Sequence, residues 1–358
     1  MICDSECFAL SPNFNDYISY GLWIQINATD GSPPGGTITT DGPLGDNYVT
    51  LQNTGGAGSW IQHNVLFGSS TVFFGTRVNS NLNTGGGGLM IIDANSNPLI
   101  TLVLNGLGGG TVFLGGFGTF FTPNTDIIST IPNFTFPSTG WFYLEMSVTV
   151  APGTSGSVRI RFNNVPLSLT GLTGINTQTG TTTSVGGVGL LSPEGSVTAS
   201  YTHLYMGDDT GPAPQNDFLG DIRVQGVFAT SNVATDFTPN GLSQNWQNIS
   251  QVPPNSTVDF NADATVGAQD TFNFSAMSPT LGQVYGINAK MIAAKSDAGQ
   301  RSLELIVQSG TTTISGPPVS LGVSSLGQTL IVQNDPDTGV QWSQSGINAV
   351  NLGYKITS

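Results

Sequence analysis

The chain has 358 residues, among them 48 Gly and 20 Pro, and only 8% are charged: 8 basic against 22 acidic, a formal charge of −14. An ordinary globular chain carries about 25% charged residues, so the polarity here comes from Ser, Thr, Asn, Gln and backbone. Eight scattered bases cannot form the dense Lys/Arg stripe that nucleic acid demands; three Lys and four Glu exclude a long helix or coiled coil, and 38% apolar residues with 19 Phe and 5 Trp exclude disorder.

A prior of about 150 residues per domain gives two domains or three, and the elements read in chain order are nearly all strands. The first residues lack the basic and apolar regions of a secretory signal, so synthesis in a cytoplasm is expected. Residues 1–16 read as an N-terminal arm. On it Cys3 and Cys7 are either free thiols or a local or inter-subunit disulfide; four zinc ligands are not at hand, with His63 and His203 far off in sequence. Residues 17–27 alternate as a strand, 70–79 form a second, and 88–93 with 98–104 make a pair. The uncharged stretch 99–121 contains Asn105 and three consecutive glycines, 108–110, which favours a buried hairpin over a membrane span.

From 140 onward the pattern sharpens. Residues 140–150 are an amphipathic strand and 157–162 return with Val158, Ile160 and Phe162 inward and Arg159 and Arg161 outward. The two arginines read as a solvated sheet face and edge protection rather than a ligand clamp. Asn163-Asn164 gives a tight reversal, and 200–206 is a strand ending in Gly-Asp-Asp-Thr-Gly, after which comes 218–228 (Phe-Leu-Gly-Asp-Ile-Arg-Val…). Residues 229–256, with Pro253 and Pro254, read as a linker. A second β unit is expected over 257–358, with strands near 270–274, 284–294, 302–308, 329–333 and 349–356. Many short strands of this kind point to an all-β sandwich or jelly roll.

The Trp141-Phe-Tyr-Leu-Glu strand, the Asn-Asn hairpin, Leu204-Tyr-Met-Gly-Asp-Asp-Thr-Gly and Asn216-Asp-Phe-Leu-Gly-Asp-Ile-Arg-Val resemble the closing strands of a concanavalin A-like (laminin-G-type) jelly roll, in the version found in bacteriophage virion proteins. The resemblance continues through 295–310 and 334–350 and covers about residues 140–358. It implies a concanavalin A-like jelly-roll domain over 17–228, a smaller β-sandwich behind it, and a virion component.

Catalytic constellations are then tested against the inventory. Glu6, Glu145, Glu194 and Glu304 have no second acid at i+2 or i+4, the pairing that a retaining glucanase strand needs. His63 and His203 read as packed sheet residues, and the glycine runs lack the Lys-Ser/Thr of a phosphate loop. No enzyme is therefore expected. Asp208, Asp209 and Asp217, with Asn216 and Asp221, could gather oxygens for Ca²⁺, although Asp and Asn are also ordinary turn residues; Asp335 to Gly339 reads as a turn on the same grounds. Trp60, in the Gly-rich stretch 55–62, is the one tryptophan placed for exposure and stacking on a sugar, although packing is the preferred reading for it too. The expected role is structural: a homo-oligomer docked on other virion proteins through neutral contacts, without nucleic acid or membrane insertion. The alternative is a tail- or fibre-associated module for host-surface glycan.

Overall fold

The computed structural model describes residues 1–6, 8, 17, 19, 22, 24–26, 35–39, 47–52, 59–80, 87–104, 109–115, 126–131, 140–169, 171–179, 181–192, 198–277 and 282–358. The chain divides into two compact units: Met1–Phe8, Asn13–Ile18 and Trp23–Val224 make the first, and Ala9–Pro12, Ser19–Leu22 and Gln225–Ser358 the second. Strands are numbered β1 to β26 in chain order.

Two antiparallel sheets form unit 1. The larger runs β13 (Val165–Pro166), β12 (Gly156–Phe162), β11 (Phe142–Thr149), β6 (Thr71–Ser80), β16 (Thr198–Asp208), β4 (Tyr48–Gln52), β3 (Gly35–Thr39), with β1 (Ile2–Glu6) also on β16 and β14 (Thr173–Ile175) on β12. The smaller runs β10 (Asp126–Ile131), β9 (Gly110–Leu114), β8 (Pro98–Leu104), β7 (Gly88–Asp93), β15 (Val185–Ser192), β5 (Ser59–Asn64), β2 (Ile24–Ile26). Period-2 alternation decides which side chains meet between them. Leu144, Met146 and Val148 of β11, Val72, Phe74 and Val78 of β6, and Val158 and Ile160 of β12 share one buried face. Opposite them lie Leu89, Ile91, Val188 and Leu190. Tyr201 belongs to the first face and reaches the smaller sheet, where its hydroxyl takes the Gly88 amide at 2.9 Å and donates to the Leu191 carbonyl at 2.8 Å.

Local chemistry sets the turns. Asn163 and Asn164 have φ of 45° and 68°, the pair of positive angles that a two-residue hairpin requires and that Asn tolerates. The uncharged stretch 99–121 yields the antiparallel pair β8–β9, closing at Leu104 opposite Gly110. No helix of the described residues is long and apolar enough to cross a membrane.

Unit 2 is smaller. Its main sheet orders β17 (Ala229–Thr235), β20 (Gln269–Phe274), β26 (Asn351–Ile356), β22 (Ser302–Ser309), β23 (Thr312–Ser315), with β24 (Val319–Ser320) also on β22. Two pairs accompany it, β18 (Thr238–Asn240) with β19 (Phe260–Ala262) and β21 (Ile287–Ala293) with β25 (Leu326–Val332). Val307, Val332, Trp342 and Val350 form one of its core clusters. Beneath it all is an anchor: buried Asp270 accepts the Asp236 and Phe237 amides, the Asn245 side-chain amide and the Tyr354 hydroxyl. The protein is all-β, a concanavalin A-like jelly-roll sandwich followed by a smaller β-sandwich.

Three stretches differ from the sequence reading. Residues 2–6 are strand β1, paired with β16 from Ile2–Gly207 to Glu6–Leu204, where an arm was expected. The expected linker, 229–256, carries β17, β18 and the short helix Asn245–Ile249. Most consequentially, 218–228 contains no strand before Ala229. Its amides are taken by side chains, which leaves no ladder to join.

Candidate functional site

Among the described residues, the face of the larger sheet turned away from the sandwich interior carries a cluster of ionisable groups. Alternation puts Tyr143, Glu145 and Ser147 of β11 on that face, beside Arg77 of β6, Arg159 and Arg161 of β12 and Tyr205 of β16. Register requires a small residue at the centre. A Cβ on Gly75, opposite both Glu145 and Tyr205, would lie 2.6 Å from the Tyr205 ring and 3.0 Å from the Tyr143 ring. The missing side chain makes room for the two phenols and the carboxylate.

Residues 211–224 cross this face as a strap. The Leu219 amide donates to the Tyr205 hydroxyl at 3.0 Å, Gly220 to Glu145 Oε1 at 2.8 Å, Asp221 to Asn164 Oδ1 at 2.8 Å and Val224 to His203 Nδ1 at 3.1 Å. Ionic contacts add to these. Arg77 grips Asp221 through two bonds of 3.0 and 2.9 Å, and Arg159 grips Asp217 through two of 3.1 and 2.7 Å. The Phe218 ring lies 4.9 Å from the guanidinium carbons of both Arg159 and Arg161. Two-pronged guanidinium–carboxylate pairing fixes geometry as well as charge.

Glu145 is the buried centre. Fully shielded from solvent, it accepts the Tyr205 hydroxyl and the Gly220 amide on Oε1, while Oε2 has no hydrogen bond and lies 3.8 Å from Arg161. Burial raises its pKa, against the pull of Tyr205, Gly220 and Arg161 in the other direction. Burial also raises Tyr205 and Tyr143, with the charge of Glu145 acting the same way, so both phenols stay protonated at ordinary pH. The arrangement can hold or release a proton at Glu145, and it holds the strap. His203 supports the far end: it sits at the bulge between Thr202 and Tyr205 with φ of 50°.

The residues singled out in the sequence lie elsewhere or do other work. Asp217 pairs with Arg159, while Asp208 accepts the Gly68 amide at 2.6 Å and the Thr210 hydroxyl and amide at 2.5 and 3.1 Å; Asp209 is exposed. Burial pushes Asp208 upward, but those donors bring it below the ordinary carboxylate value. These oxygens serve separate partners, and among the described residues no group of three His, Cys, Asp or Glu is placed to hold a metal ion. Trp60 is 5% exposed and packs with Met90, Ile92 and Leu191, so it offers no ring to a sugar. Cys3 lies in β1, and Cys7 lies outside the described residues, as do 85, 86 and 108 of the glycine runs. His63 is buried and pairs with Asp4. Arg159 is exposed, as a solvated face predicts, and Arg161 is half-buried; the Phe218 ring lies against both. Sequence reasoning missed Glu145, Tyr205, Arg77 and Asn164 as a group. The one signal was an acid at an outward register position between Leu144 and Met146.

No family model and no curated protein matches the chain. Solved structures do. An alginate lyase of Aplysia kurodai is 11% identical over 57% of this chain and 98% of that one, with a TM-score of 0.40. The carbohydrate recognition domain of Emp46p is 9% identical over 56% and 95%, TM-score 0.37. A sialidase is 9% identical over 58% of this chain, which spans only 19% of that protein, TM-score 0.41. At such identity the likeness concerns architecture alone. It does correct one expectation. Lyases and a sialidase stand among the similar structures, so the reading of the chain as no enzyme is withdrawn; the lack of paired carboxylates spoke only to double-displacement hydrolysis.

Proposed function

We propose that the chain is a structural component of a bacteriophage particle, present as a homo-oligomer docked on other particle proteins. One observation supports this reading above others: six of the eight bases are engaged within the chain. Arg77, Arg159, Arg161, Arg301 and Lys355 each face a carboxylate, and Lys295 donates to the Gly299 carbonyl. A surface left to Ser, Thr, Asn and backbone can form wide hydrogen-bonded contacts without stranding ions. Proteomics and electron microscopy of purified particles test the reading. Stoichiometric copies in the particle are expected; protein found free in the lysate and absent from particles sinks it. Retention on isolated host cell-wall glycan in that case would favour the glycan-binding module, with a surface other than Trp60.

A further inference from the structure

Residues 211–224 cover only part of the outward face of the larger sheet. Beside them, β3, β4 and the adjoining ends of β6, β11 and β16 present a second part that is open to solvent. Val49, Leu51, Val78 and Ala199 are buried toward the sandwich interior. Their alternates Thr50, Gln52, Asn79 and Ser200, with Trp141 just ahead of β11, face outward and are half-buried or exposed. Strand pairing aligns these side chains into one row. Thr37 stands opposite Thr50, Thr50 opposite Ser200 and Ser200 opposite Asn79, and Trp141 comes next by the Val78–Phe142 pairing. Four strand spacings make the row about 19 Å long, each step close to the length of one pyranose unit.

The chemistry of the row is as regular as its spacing. Trp141 packs edge-on against Tyr48 of the neighbouring row, with centroids 5.2 Å apart and planes at 74°, so two rings are held in place while both stay partly exposed. The Trp141 indole N–H, the Tyr48 hydroxyl and the side-chain amides of Gln52 and Asn79 find no hydrogen-bond partner among the described residues. Thr50 and Ser200 bond each other at 2.8 Å, and each hydroxyl keeps a lone pair for a further donor. Charge then selects the occupant. The chain has 22 acids, yet none of the described outward positions of this part is one, and its single base, Arg77, is held by Asp221 through two bonds. An anion finds no uncommitted cation here, and a cation finds no carboxylate. A neutral molecule with C–H faces and hydroxyl edges matches both the rings and the amides.

We propose that this row is a binding platform for a neutral oligosaccharide, laid across the strands with one sugar stacked on Trp141 and its hydroxyls bonded to Gln52, Asn79 and Ser200. The proposal rests on the glycan-binding alternative above and gives it a site. Rings and strands fixed before binding keep the ordering cost small. Titration calorimetry of the full chain against cello-, malto-, manno- and xylohexaose tests it, with hexagalacturonate as the anionic comparison. At least one neutral hexasaccharide should bind about tenfold more tightly than hexagalacturonate. Trp141→Ala should weaken that binding about tenfold, and Gln52→Ala with Asn79→Ala about fivefold at an unchanged melting temperature. Should Trp141→Ala fail to fold, the Gln52 and Asn79 pair decides, because these side chains hold nothing together within the chain. No neutral hexasaccharide bound at millimolar concentration, equal or tighter binding of hexagalacturonate, or affinity unmoved by the substitutions overturns the proposal. Retention on isolated host cell-wall glycan that survives all three substitutions discards this site and leaves the glycan-binding alternative standing.

Discussion

The two faces of β11 are built from alternate residues of one eight-residue strand, yet they are buried by different physics. Toward the sandwich, Leu144, Met146 and Val148 meet apolar neighbours, and the contact is set by area and volume. Toward the strap, Tyr143, Glu145 and Ser147 are just as buried, but among hydrogen bonds and ion pairs supplied by β12, β16 and the irregular strap. The first face tolerates any occupant of the right size. The second specifies its occupant atom by atom, and it responds to pH and salt.

The contrast can be broken at graded cost. Leu144→Ala should lose about 3 kcal/mol in urea unfolding through the cavity it leaves. A loss below about 1 kcal/mol would mean that the interior face is not the main source of stability. Glu145→Ala should cost about 2–3 kcal/mol, because the Tyr205 hydroxyl and Gly220 amide are left buried without an acceptor. Hydrogen exchange should rise selectively at 217–224 in that variant; a uniform rise would show that the strap is not a separate unit. Gly75→Ala should cost about 1–3 kcal/mol by pushing Tyr205 and Tyr143 aside, with the same local exchange signature.

The pH response sharpens the comparison further. Burial raises Glu145 above its ordinary value of 4.5, so the folded state favours the protonated acid. Its stabilising contribution is complete below that value and is lost as pH rises through the raised pKa. Unfolding free energies of wild type minus Glu145→Gln should therefore fall as pH climbs from 4.5, whereas a flat difference would show that burial does not control this group. The smallest effect belongs to the rim. Asp217→Asn removes a half-exposed pair and should cost at most about 1 kcal/mol, and less in high salt. Asp217 itself is held below the ordinary aspartate value: burial acts upward, but Arg159 and the Phe218 amide outweigh it.

Much of the scaffold was legible because strand alternation is a local property. Val158 and Ile160 inward, Arg159 and Arg161 outward, and the Asn163-Asn164 turn all follow from period and turn chemistry within a few residues. The site was not legible. That Glu145 faces away from the sandwich could be read; that a segment 75 positions later covers it could not, since the family resemblance implied a closing strand at 218–224. At Trp60 the exposed alternative fell and packing held, because the glycines around it pointed to a loop while the sheet placed it against Met90 and Leu191.

By itself, the sequence determined the class: low charge, abundant Gly and short alternating runs permit little besides a stacked β architecture. Only the tertiary structure decided where the few charges went. Pairing of Arg77 with Asp221 and Arg159 with Asp217 joins residues 144 and 58 positions apart. Such pairs depend on which face a neighbouring segment covers, and covering is settled by packing between elements rather than by any period within one.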